Sequence, residues 1–105
     1  MYAKNIRGFL SKLKSNQSNF EDKKQLMRSS GSVAANYLEA NEAPSSKDFL
    51  LRIKICKKEA KESYLWLRLM DDGLENQTEL KALIQESLEL AKIFGAIANK
   101  YRERQ

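Results

Sequence analysis

The sequence predicts an all-α fold: an antiparallel, up-and-down four-helix bundle with a short first helix, assembling as a homo-oligomeric ring. Composition points there first, because 105 residues hold one Pro and four Gly amid abundant Lys, Glu, Leu and Ala, leaving little to interrupt a helix. Periodicity points the same way, since apolar residues recur at steps of three and four through four segments and no segment alternates as a strand would. The connections between segments are short, which sets neighbouring helices antiparallel. At this length the chain forms one domain, 1–105, with a core that needs no disulfide.

The first helix is expected from Ala3 to Lys14, where Ile6, Phe9, Leu10 and Leu13 share a face. After the polar turn of residues 15–19, Ser18 and Glu21 stand at capping-box spacing and open a second helix running to about Asn41, closed by Pro44. Its Leu26, Ser30, Val33, Ala34 and Tyr37 form one face. There Ser30, Gly31, Ala34 and Ala35 are small enough for another helix to approach closely. Opposite runs a polar row, Arg28, Ser32, Asn36 and Glu39, which is either a ligand or partner surface or a solvated face with hydrogen bonds between neighbouring turns.

Ser45 and Asp48 repeat the capping pattern and open a third helix, expected to reach about Asp71 before Gly73 ends it. This helix carries the strongest pattern. Phe49, Ile53, Cys56, Ala60, Ser63, Leu67 and Met70 alternate steps of four and three, a seam for packing against partner helices. Beside the seam, Leu51, Ile55, Trp66 and Leu69 form a second wedge that widens the apolar sector to about 180°. Either the helix is central and well buried, or the wedge meets another subunit; the second reading is the one adopted. Arg52 and Glu59 lie inside this sector and need partners, for which Asn36, Glu39 or a neighbouring chain are the candidates. Asn76 and Glu79 open the fourth helix, whose stripe runs through Leu80, Leu83, Ile84, Leu90, Ala91, Phe94, Ile97, Ala98 and Tyr101.

Charge carries the functional signal. The 19 Lys and Arg exceed the 14 Asp and Glu, a formal net charge of +5. On the third helix Lys47, Lys54, Lys57, Lys58, Lys61 and Arg68 fall within about 100° of one another, away from the seam. Such a stripe attracts phosphate backbones through counterion release, and a symmetric ring repeats it. The plainer alternative is a set of solubilising lysines, with Lys58 and Glu62 as an ordinary exposed pair. Only Tyr64 borders the stripe, so sequence-independent binding of RNA or DNA is expected.

Catalysis has little support. The chain has no His, the usual proton shuttle and metal ligand, and no glycine-rich phosphate loop. Cys56 lies on the seam as a small core residue, and Asp71 and Asp72 beside Gly73 read as solvated terminus residues. A non-enzymatic protein without metal or cofactor is expected. The lone cysteine, the want of a signal-like N-terminus and the absence of an apolar run near 20 residues make a cytoplasmic, non-membrane protein the expectation.

Three strings, residues 25–40 (QLMRSSGSVAANYLEA), residues 46–49 (SKDF) and residues 58–67 (KEAKESYLWL), together resemble the four-helix-bundle proteins of the 23S rRNA intervening-sequence type. The resemblance spans about Gln25 to Tyr101. It implies an up-and-down bundle and, as in related accessory proteins of diversity-generating retroelements, a homopentameric barrel. Those relatives bind nucleic acid and a reverse transcriptase, so the resemblance implies either a nucleic-acid partner or a protein partner docked on an oligomeric scaffold. Here the first helix is shorter than is usual in that family.

Overall fold

Residues 1–13, 20–70 and 77–103 are described by a computed structural model, and they form α1 (Tyr2–Lys12), α2 (Phe20–Asn41), α3 (Ser46–Leu69) and α4 (Gln77–Glu103). Each helix packs on the next, and α4 returns to α1, so the four close a bundle in which no diagonal pair of helices makes a close backbone approach. Side-chain contacts fix the directions. Lys12 reaches Glu79 while Tyr2 reaches Ser87, so α1 and α4 are antiparallel. Arg28 meets Glu59 while Asn36 meets Arg52, so α2 and α3 are too. Phe49 and Tyr101 stack edge to face at 4.5 Å between centroids and tie α3 to the last turns of α4.

The third-helix seam is the core. Ile53, Cys56, Ala60, Ser63, Leu67 and Met70 are buried and Phe49 packs at the margin. Facing them are Leu80, Leu83, Ala91, Phe94 and Ala98 of α4, with Ile84, Leu90, Ile97 and Tyr101 half-buried beside them. Ser45 caps α3 as its spacing predicts: its Oγ accepts the Asp48 backbone N–H at 3.1 Å. The helix stops at Leu69, two residues before the expected end, and Met70 takes the helical cap conformation. The Ser18 cap, Lys14, Asp71, Asp72, Gly73 and the Asn76 cap lie outside the described residues.

Short as it is, α1 supplies some of the largest fully buried side chains of the bundle, with Ile6 and Phe9 fully buried and Leu10 nearly so. Its apolar face turns inward between α2 and α4. Leu13, expected within the helix, is already extended at φ −82° and ψ 139°. The small face of α2 receives this helix in an unexpected way. Gly31 accommodates not a helix backbone but the Arg7 guanidinium, whose Nη2 lies 3.0 Å from where a Cβ would stand. Ala35, the last of the small residues, is exposed.

One hydroxyl from each helix meets in the interior. Tyr2 shares a 2.5 Å hydrogen bond with Ser87, and Ser29 shares one of 2.7 Å with Ser63. Ser63 and Ser87 each donate to the carbonyl four residues back, at 2.9 Å, so these buried oxygens are satisfied. Burial raises the Tyr2 pKa above 10.0, opposed by the hydrogen bonds to Ser87 and Ser63.

Beyond the start of α1, α2 and α4 continue without a fourth neighbour. Val33, Tyr37, Leu38, Ile93, Phe94 and Ile97 line the apolar groove left there, about 360 Å³ in volume. Tyr37, Leu38 and Ile93 remain exposed at its rim.

Candidate nucleic-acid interface

The outer face of α3 presents its cations to solvent. Lys47, Lys54, Lys57, Lys58, Lys61 and Arg68 are all exposed, as their shared sector on the helix requires. Among the described residues none of the six is in an ion pair. Arg68 lies over the Tyr64 ring at 5.9 Å from its centroid. Leu65 sits in the same sector, half exposed among the lysines.

The acids of α3 explain why these charges stand alone. Asp48 accepts from the Ser45 hydroxyl at the N-terminus. Glu59 is buried and accepts from Arg28 Nη1 at 3.1 Å, while Glu62 accepts from Arg28 Nη2 and from the Trp66 indole N–H. Glu62 is therefore turned towards α2 and the exposed Lys58 pair does not form. The two carboxylates raise the Arg28 pKa above its ordinary value, the Glu62 hydrogen bond contributing most.

That geometry also places the polar row of α2. Asn36 donates to the Ser32 carbonyl at 2.9 Å and to the Ser32 Oγ at 3.1 Å, and its Oδ1 accepts from Arg52 Nη1 at 3.0 Å. Arg28 and Asn36 thus tie α2 to α3, while the Asn36–Ser32 bonds join neighbouring turns of α2 as one reading of the row expects; the wheel gives an angle but not the neighbour on α3 that fills it. Asn36 is the partner expected for Arg52, whereas Glu59 takes Arg28. Glu39 alone of the four stays outside, exposed near Leu51, Arg52 and Pro44.

The second wedge divides. Ile55 and Trp66 are half-buried, Trp66 against the core, while Leu51 and Leu69 are each 55% exposed. One subunit therefore leaves both ends of the wedge uncovered.

Cys56 is buried, its Sγ 3.6 Å from the Val33 carbonyl, and burial pushes the thiol up to about 11. This disfavours the thiolate a nucleophile requires. No group of three or more acidic or cysteine ligands comes together among the described residues. No described helix is long and apolar enough to cross a membrane.

Sequence reading placed Ser30 and Ser63 on apolar faces but missed the buried Ser29 and Ser87 and the cations of α4. Ser29 stands three residues after Leu26 and four before Val33, and Ser87 four after Leu83 and four before Ala91, so both lie on apolar stripes that spacing alone reveals. Lys92 carries no such signal, because its place beside α3 depends on how the two helices are aligned.

The family model of the 23S rRNA-intervening sequence protein matches residues 1–96. The chain belongs to this family. A crystal structure of a protein of unknown function from the S23 ribosomal protein family of Bacteroides thetaiotaomicron is 30% identical and superposes with a TM-score of 0.81. That likeness covers 92% of this chain and 91% of the other. None of the curated proteins matches. The match to the intervening-sequence family takes in α1, which the motif strings beginning at Gln25 had left aside, and this agrees with how deeply α1 is buried.

Proposed function

We propose that this member of the 23S rRNA-intervening sequence protein family is a non-catalytic, homo-oligomeric bundle, pentameric if it follows the resemblance, that binds nucleic acid through the basic outer face of α3. The observation that carries the reading is the set of six exposed cations without acidic partners among the described residues, on a helix whose own acids are turned elsewhere. Each phosphate neutralised releases a counterion, so affinity falls with salt in proportion to the contacts made, and a ring multiplies a weak single-chain interaction. Contacts of this kind position a phosphate backbone without reading bases.

Fluorescence anisotropy with labelled RNA and DNA at low and high salt tests the reading. Micromolar or tighter binding that weakens with salt, and weakens further when Lys54, Lys58 and Lys61 are changed to Glu, is the expected result. No binding to either nucleic acid at low salt overturns it. A second reading, a scaffold that docks a protein partner such as a reverse transcriptase on the same basic face, is favoured by Leu65, half exposed among those cations. Pull-down after nuclease treatment separates the two, because only a docked protein survives loss of the nucleic acid.

A further inference from the structure

Between α3 and α4 runs an open cleft of about 640 Å³ that the basic stripe alone does not disclose. Lys57, Lys61 and Tyr64 of α3 form one wall, and Lys92, Gly95 and Asn99 of α4 form the other. The lining holds three ammonium groups and no carboxylate, and none of the three lysines is in an ion pair among the described residues. The α2/α3 side contrasts with this, since there Glu59 and Glu62 are both matched by Arg28. A volume of this size falls within the usual range of ligand sites, about 300–1,000 Å³.

Gly95 shapes the floor. The Lys57 stem crosses it, with Cε 3.5 Å and Nζ 3.6 Å from where a Cβ would stand, so any side chain longer than alanine meets that lysine. Lys57 and Lys61 are one turn apart, about 6 Å along the axis. Tyr64, half-buried, closes the end near Leu88 with its ring beside the Arg68 guanidinium, and Asn99 offers an amide at the other end. Cations along two walls and an aromatic ring at one end suit a chain of phosphates bearing planar bases.

We infer that this cleft binds single-stranded nucleic acid, with the phosphodiester backbone held by Lys57, Lys61 and Lys92 and a base laid against Tyr64. The inference rests on the nucleic-acid reading above and narrows it to single strands and to a site shared by two helices. Packed helix axes lie about 8–10 Å apart, so the trough between them admits one strand. A duplex is confined to the crest, where Lys54 and Lys58 stand. Every base has a face to stack, so the site accepts any sequence.

Anisotropy with a labelled oligothymidine and a duplex of equal length distinguishes cleft from crest. Lys92→Glu is exposed and leaves the core untouched; it should weaken single-strand binding about tenfold or more and lower its salt slope by about one. Tyr64→Leu should weaken it about five- to a hundredfold with the slope unchanged. As a check independent of folding effects, a 4-thiothymidine oligonucleotide irradiated with the unaltered protein should cross-link to the peptide containing Tyr64. Equal affinity for duplex, indifference to Lys92→Glu or cross-links confined to α1 and α2 overturn the cleft, while loss on Lys54→Glu with Lys58→Glu still leaves the crest reading standing. Failure to bind either form at low salt removes both.

Discussion

Cys56 and Glu59 are buried groups that the fold accommodates in different ways, one by desolvation and the other by an ion pair. The thiol is kept neutral: burial carries its pKa from 9.0 to about 11. Because the folded value is the higher, the unfolded chain releases its proton first as pH rises. The contribution of Cys56 is complete below pH 9, declines above it and is lost by about pH 11, a fall of about 2–3 kcal/mol at 1.36 kcal/mol per unit. Urea unfolding of the native protein and of Cys56→Ala across this range should show the extra decline only where the thiol is present; parallel pH profiles would count against it. Glu59, by contrast, is buried in an ion pair with Arg28, itself half exposed. Arg28→Met leaves a buried carboxylate without its cation and should cost about 2–3 kcal/mol, below the full penalty of a wholly buried pair because water reaches the guanidinium side. Adding Glu59→Leu should recover most of that loss. Denaturant midpoints of both single variants and the double variant measure the coupling, and additive losses would show that the pair is incidental.

Of the helices, α1 shows most clearly why an element's worth is not set by its length. Eleven residues make about three turns, too few to persist alone in water, yet Ile6, Phe9 and Leu10 fill the gap between α2 and α4. Gly8 lies on its exposed side with nothing within 4 Å of an added Cβ, so Gly8→Ala should stabilise the protein by about 1 kcal/mol, raising the melting temperature by about 4–8 °C. Gly31→Ala should gain less, since its Cβ meets the Arg7 guanidinium at 3.0 Å and displaces it. Calorimetry of the two variants compares them directly, and an unchanged melting temperature for Gly8→Ala would mean that α1 does not limit unfolding. Helix number, the Ser45 cap and the α3 seam were legible in the sequence because each is local or periodic. The depth of α1 was not, since its neighbours lie far along the chain. Exposure of the α3 lysines followed from their angle, but the turning of Glu62 towards Arg28, and the approach of Lys92 to Lys57 and Lys61, depend on helix alignment that spacing along one strand of sequence does not encode.

At the scale of the whole molecule, two of the uncovered apolar surfaces among the described residues suit an assembly contact. One is the wedge of α3, uncovered at its two ends by Leu51 and Leu69; the other is the groove between α2 and α4 rimmed by Leu38 and Ile93. They are distinct surfaces, so the assembly proposed above follows most simply if the wedge of one copy meets the groove of the next, a head-to-tail contact that repeats until a ring closes. Light scattering should then give about 60 kDa for five copies of the 12.1 kDa chain. Leu51→Glu with Leu69→Glu disables only the wedge, and Ile93→Glu only the groove, so each variant alone should run as a monomer. Mixed together they retain one intact wedge and one intact groove between them. The mixture should form a one-to-one dimer that cannot grow, because its two free ends are the disabled ones. A self-complementary contact predicts otherwise: one variant would stay assembled by itself and the mixture would yield nothing new. Native protein that scatters as a monomer at tens of micromolar would remove the ring and, with it, the multiplication of the α3 charge on which tight phosphate binding depends.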